Sequence, residues 1–199
     1  MIFDVNKKSP MLSKQFISGY VRALTRQQAE KNRVVDFVAS TGERDRHGTV
    51  LNQSNWLLDN FNRNGIVGYM HNVYGNPFGS SDPDQVIGTA KARVFSGNLV
   101  CSIRFEPKEI NPLAEKIFRK VLAGTLKAVS VGFLPVGSGH WGEGEEAEYG
   151  QNPTYYYDGQ ELLEISVVTI PSNPGAIKQN FNHSKLERLR RYNNHLLKF

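Results

Sequence analysis

AVSVGF (Ala128–Phe133) and, about thirty residues later, ELLEISVVTIPSNPGA (Glu161–Ala176) read as two strands. Successive strand side chains point to opposite sides. In AVSVGF, Val129, Val131 and Phe133 share one face, and Ala128, Ser130 and Gly132 the other, so Ser130 is flanked by almost nothing. In the second stretch Leu163, Ile165 and Val167 form a core face, while Leu162, Glu164, Ser166 and Val168 share the opposite, mixed face. A serine on a cleared strand face needs a base to become a nucleophile, because the free hydroxyl is a poor one at neutral pH.

His71 is the best base the chain offers. Its run, GIVGYMHN (Gly65–Asn72), is short and apolar and leads into the turn-rich HNVYGNPFGSSDPD, which places the imidazole at a strand end beside a loop. The other histidines sit in weaker contexts: His47 in the turn GERDRHGT, His140 in a glycine-rich loop, His183 and His195 in a polar tail. Each residue taken alone has a plainer reading, Ser130 as a small packing residue, His71 as an ordinary strand-end histidine, Glu164 as a solvated strand residue. Their shared placement off the core, their order in the chain and a family resemblance together favour a site.

The same residues carry a family resemblance. A histidine ending an apolar strand, a serine in SVGF, then EISVV followed by PSNPGA resemble the prohead maturation proteases of HK97-type tailed phages. FVASTGERDRHGTVL (Phe37–Leu51) is similar to that family's opening strand and Asp-Arg-x-Gly turn, and VIGTAKARV (Val86–Val94) to its strand after the histidine. The resemblance runs from about Val34 to Ala176. It implies a serine endopeptidase of herpesvirus assemblin-like fold that cuts scaffolding segments from the major capsid protein. It also implies a homodimer that works without cofactor or metal inside the assembling procapsid, in the host bacterial cytoplasm. By the same resemblance His71 matches the family's histidine, Ser130 its nucleophile and Glu164 the third member. Glu161 is the rival for that third place; alternation puts it on the face of Leu163 and Ile165, an argument that fails if the strand carries a bulge.

The expected fold is mainly β within an α+β class, a closed or nearly closed barrel with flanking helices. Expected strands lie near 66–71, 86–95 and 98–106. QSNWLLDNFNRNG reads as a short helix capped by Ser54, with Trp56, Leu57 and Phe61 as its apolar stripe and Gly65 as its stop. PLAEKIFRKVLAGTL (Pro112–Leu126) has helical spacing, with Pro112 at its start and Gly124 at its end. Residues 12–31 could pair as a strand or wind as a helix. Residues 137–158, rich in glycine, acids and aromatics, read as an exposed insertion that ends in a strand at Thr154–Tyr157.

At 199 residues and 39% apolar content the chain can bury one core. The organisation expected is a basic extension over 1–33, the protease domain over 34–176 and a basic tail over 177–199. Net charge divides accordingly, +5, −5 and +5. The basic helix-like tail SKLERLRRYNNHLLKF reads first as a solvated helix, and otherwise as a binder of nucleic acid, an acidic scaffold or a membrane surface. Nothing resembles a base-reading motif, so nucleic-acid binding ranks behind both the protease and a catalytically silent capsid-assembly or scaffold-binding protein on the same fold. No apolar run approaches a membrane span and no signal peptide is expected. The single cysteine, Cys101, excludes an intramolecular disulfide and reads as a small apolar strand residue.

Overall fold

The computed structural model describes residues 25–74, 82–143 and 153–180. The expectations for residues 12–24, for His183 and His195 and for most of the basic tail lie outside them. Two of the expected strands appear nearly as read: β5 (Val86–Phe95) and β6 (Asn98–Phe105) form an antiparallel hairpin closed at Ser96–Gly97, both at positive φ. β1 (Val34–Ser40) pairs antiparallel with β6, and β4 (Ile66–Tyr69) with β5. β7 (Ala128–Pro135) and β10 (Gln160–Val168) are the two strands of the opening motif, and they pair antiparallel along their whole length. Since β7 occupies one edge of β10, β3 (Trp56–Leu57) and β4 share the other, both running parallel to it. β2 (Thr49–Leu51), β8 (Gly139–Trp141) and β9 (Tyr155–Tyr157) make a second, three-stranded sheet with β9 in the middle.

The large sheet curls into a half-barrel and does not close as a continuous ladder. Its ends are β1 and β7. Between them runs the segment Ala176–Gln179, joined to both by isolated bridges, Phe37 with Lys178 and Ala128 with Ile177. Val129 N–H donates to the Ala176 carbonyl (3.1 Å), Lys178 N–H to that of Lys127 (2.6 Å), and Val38 N–H to that of Ile177 (3.0 Å). The barrel expected from the sequence is therefore open at a seam that a short stretch of non-strand backbone spans.

Apolar alternation supplies the core. Val35, Phe37 and Ala39 of β1, Leu99, Cys101, Ile103 and Phe105 of β6, and Val129, Ile165 and Val167 from β7 and β10 form one buried cluster. α3 (Pro112–Ala123) lays Ala114, Ile117, Phe118, Val121 and Leu122 against it, with the Phe118 ring 5.2 Å from that of Phe105. Its ends are as the sequence predicts: Pro112 opens the first turn, the Asn111 side chain accepts from Ala114 N–H, and Gly124 takes the left-handed cap at φ +81°. Residues 12–31 resolve, where described, into α1 (Arg26–Asn32), opened by a reciprocal Thr25–Gln28 capping box. Cys101 is fully buried in β6, where loss of solvent pushes its thiol far above the ordinary range.

Three expectations are corrected. The helix read from Ser54 shrinks to α2 (Asp59–Arg63), with Leu58 at its N-cap and no side-chain cap. Trp56 and Leu57 are instead a strand, held in the ladder by Gln160 and Glu161, so only Trp56 faces the core and Leu57 is 49% exposed. Gly65 is no helix stop; a Cβ there would lie 2.0 Å from the Ala90 carbonyl oxygen, so β5 requires glycine at this close approach. β10 does carry an irregularity, between Leu162 and Glu164. It turns Leu162 into the core and leaves Leu163 40% exposed, the reverse of strict alternation, while Glu164 and Ser166 keep the face expected of them. Both ends of the 137–158 segment are also pinned: His140 and Trp141 pair with Tyr156 and Tyr155, and Tyr157 with Leu51 of β2.

Candidate active site

Register sets the site. Gly68 of β4, Ser166 of β10 and Ser130 of β7 lie in one row across three strands, and Glu164 lies opposite Gly132 one step along. Directly opposed residues project on the same face, their Cβ atoms about 4.5–5.5 Å apart. Ser130, Ser166 and Glu164 therefore stand together on the face away from the Val129–Ile165–Val167 core. The two glycines make the room. A Cβ on Gly68 would lie 2.8 Å from Ser166 Oγ, and one on Gly132 would lie 2.6 Å from both Glu164 Oε1 and the Tyr74 hydroxyl.

His71 reaches this face by a turn the sequence did not reveal. β4 ends at Tyr69, and both Met70 (φ +54°) and His71 (φ +61°) take the left-handed conformation that side chains disfavour. Met70 N–H still donates to the Val167 carbonyl (3.0 Å), and His71 N–H donates to Ser166 Oγ (3.1 Å). The chain thus folds back over β10, and His71 Nδ1 meets Glu164 Oε1 at 2.5 Å. The other carboxylate oxygen, Oε2, accepts from Ser166 Oγ–H at 2.7 Å. Glu164 is 2% exposed, so the solvated reading of this residue fails; its charge is compensated by the imidazole and the hydroxyl. The hydrogen bond that His71 donates to Glu164 raises the His71 pKa above 6.5, burial lowers it, and the Glu164 charge raises it again, with a net rise. The Tyr74 hydroxyl is also pushed up, first by burial and then by the Glu164 charge.

Ser130 is 8% exposed and shares a cleft of about 360 Å³ with His71. Val131, Phe133, Tyr157 and Leu51 give this cleft apolar lining; Glu43, Asp45, His47, Ser172 and Asn173 give it a polar wall. That wall is one unit. Asp45 accepts from His47 N–H, Thr49 N–H and Thr49 Oγ–H through one end of the turn and from Ser172 Oγ–H across to the PSNPGA loop. Arg46 donates to the carbonyls of Ser172 and Pro171, and Asn173 donates to those of Thr41 and Glu43. The Asp-Arg-x-Gly turn and PSNPGA, distant in sequence, are the two halves of one structure beside the serine.

The structure thus brings His71 and Glu164 into direct contact and sets Ser130 in the same cleft. Glu161 is elsewhere, accepting from Asn60 Nδ2 at 2.6 Å. His140 stacks on Tyr156 and lies 3.5 Å from Asp158, whereas His47 lines the cleft. Sequence reasoning missed Ser166, although alternation had already put it on the face of Glu164, and it missed Gly68, Gly132 and Tyr74, for which only the three-dimensional packing gives a signal. Strand alternation also shows one backbone donor. Val129 N–H points away from β10 to the seam, so alternation puts Val131 N–H on the same edge of β7, and Val131 is among the residues lining the cleft.

A protein-family model described as Caudovirus prohead serine protease matches residues 99–190. The matched stretch contains Ser130 and Glu164, together with the PSNPGA loop, and begins after His71. No curated protein and no solved structure matches the chain.

Proposed function

We propose that this chain, which its residues 99–190 assign to the caudovirus prohead serine proteases, is an endopeptidase that uses Ser130 as nucleophile, His71 as general base and Glu164 as the carboxylate that orients the base. The 2.5 Å contact of His71 Nδ1 with a buried carboxylate, in the cleft that holds Ser130, carries this reading. A carboxylate on Nδ1 favours the tautomer that protonates this nitrogen and leaves Nε2 free as a base.

In the proposed reaction Nε2 takes the Ser130 proton as Oγ attacks the scissile carbonyl, forming the C–O bond. The imidazolium then returns that proton to the leaving amine as the C–N bond breaks, and water repeats the sequence on the acyl-serine. Glu164 stabilises the imidazolium. The Val131 N–H, next in the chain after the nucleophile, is assigned to the developing oxyanion; one such donor contributes on the order of a hundredfold to a thousandfold in rate. The substrates of this reading are the major capsid protein and its scaffolding segment, cut by a homodimer enclosed in the procapsid. Family membership supports the maturation role.

The test is intact-mass analysis of the chain and its capsid protein after co-expression, wild type beside Ser130→Ala. Fragments in the wild type only are expected. Uncut capsid protein in both, in preparations that assemble shells, would instead favour the silent scaffold-binding reading.

A further inference from the structure

We infer that Ser166 is a positioning residue, which closes a hydrogen-bonded ring holding the His71 imidazole by its own backbone and by its side chain at once. The inference rests on the proposed roles of His71 and Glu164 and deepens them.

Ser166 Oγ is fully buried and has a single proton. It donates that proton to Glu164 Oε2 (2.7 Å), which leaves an oxygen lone pair to accept from His71 N–H (3.1 Å). Glu164 Oε1 remains for Nδ1 (2.5 Å), and the circuit is complete: His71 backbone, Ser166 hydroxyl, both carboxylate oxygens, His71 ring. An ordinary triad carboxylate fixes only the ring. Here the same carboxylate, through Ser166, also fixes the backbone amide of a residue at φ +61° that follows another at φ +54°. Left-handed backbone of this kind persists in non-glycine residues only where its surroundings over-determine it. The ring supplies that constraint, and the Cβ-free faces of Gly68 and Gly132 give its atoms their space. Direction is set as well, because a hydroxyl donating to Oε2 leaves Oε1 to accept from Nδ1–H and keeps Nε2 the basic nitrogen.

The alternative is a buried hydroxyl that merely satisfies two polar groups without bearing on the imidazole. NMR in the inactive Ser130→Ala chain separates the two without recourse to cleavage. The observables are the downfield Nδ1–H proton of His71 and its titration midpoint. Ser166→Ala in that chain is expected to lose the downfield signal and to move the midpoint down toward 6.5, the value of an unpaired imidazole. In the active chain the same substitution is expected to lower kcat against a capsid-derived peptide by about a hundredfold, the scale of an ångström-size misplacement, with KM nearly unchanged. Ser166→Cys, which keeps the volume but donates weakly, gives the same pattern if the alanine variant does not fold. Retention of the wild-type midpoint and downfield signal in a folded Ser166 variant overturns the inference. Failure of the protease reading would show elsewhere, as Ser130→Ala processing capsid protein like the wild type, while the NMR result still decides the ring.

Discussion

Gly132→Ala tests the site without altering any group proposed to do chemistry. The added Cβ would lie 2.6 Å from Glu164 Oε1, 2.6 Å from the Tyr74 hydroxyl and 3.0 Å from Glu164 Cγ. Tyr74 is exposed and can swing outward, but Glu164 is buried between β10, β7 and His71. To reach ordinary contact at 3.4 Å, Oε1 must retreat by about 0.8 Å. A retreat of that size directly away from His71 stretches its 2.5 Å contact with Nδ1 to about 3.3 Å, a long and weakened hydrogen bond. Two effects of different size follow. Overpacking a full site costs about 1–3 kcal/mol of stability, and a misplacement of this order in a catalytic constellation costs about a hundredfold in rate. Denaturant melts report the first, and a time course of capsid-protein processing by mass spectrometry the second. Folded Gly132→Ala that processes capsid protein within twofold of the wild-type rate would refute the claim that the carboxylate must sit where the glycine lets it.

The pH dependence follows from the raised His71 pKa. General-base catalysis needs neutral imidazole, so processing by the wild type rises with pH through a midpoint above 6.5, and Glu164→Gln, which removes the raising partner, shifts that midpoint down and slows processing by about a hundredfold or more. The stability effect has the opposite sense: the folded pKa exceeds the unfolded one, so the stabilisation that Glu164 gives His71 is fully present below 6.5 and is lost as pH rises through the raised value. Wild-type Tm should therefore exceed that of Glu164→Gln by more at pH 6 than at pH 8, with Tyr74 staying protonated across this range. Asp45→Ala strips acceptors from two backbone amides and two hydroxyls in the cleft wall and should cost about 1–3 kcal/mol by chemical denaturation.

What could be read ahead of the structure was what depends on neighbours in sequence. Alternation in AVSVGF put Val129 in the core and Ser130 off it, and helical spacing with proline and glycine punctuation fixed α3. The errors came where partners distant in the chain decide. Trp56 and Leu57 have helical spacing with Phe61, yet the edge of β10 offers them ladder bonds, and that edge is invisible from within the segment. Leu163 sits where strict alternation demands a core residue, and one irregularity facing Gly132 reverses it. At the site, off-core placement and chain order pointed to His71, Ser130 and Glu164 only together with the family resemblance, because each residue alone has a plainer structural reading. The means of bringing the histidine there, two consecutive left-handed residues without a glycine, breaks the rule by which turns are read from sequence.

β10 is the strand on which β3, β4 and β7 all depend, and it is followed within ten residues by the stretch that spans the seam. A ribosome delivers His71 and Ser130 long before it delivers Gln160–Gln179. Until those residues emerge, β4 and β7 have no common neighbour, and the imidazole has neither its carboxylate nor its hydroxyl. A growing chain of this protein therefore carries an imidazole and a hydroxyl with nothing to align them, and the arrangement proposed to cut is assembled only once Gln160–Gln179 have been made.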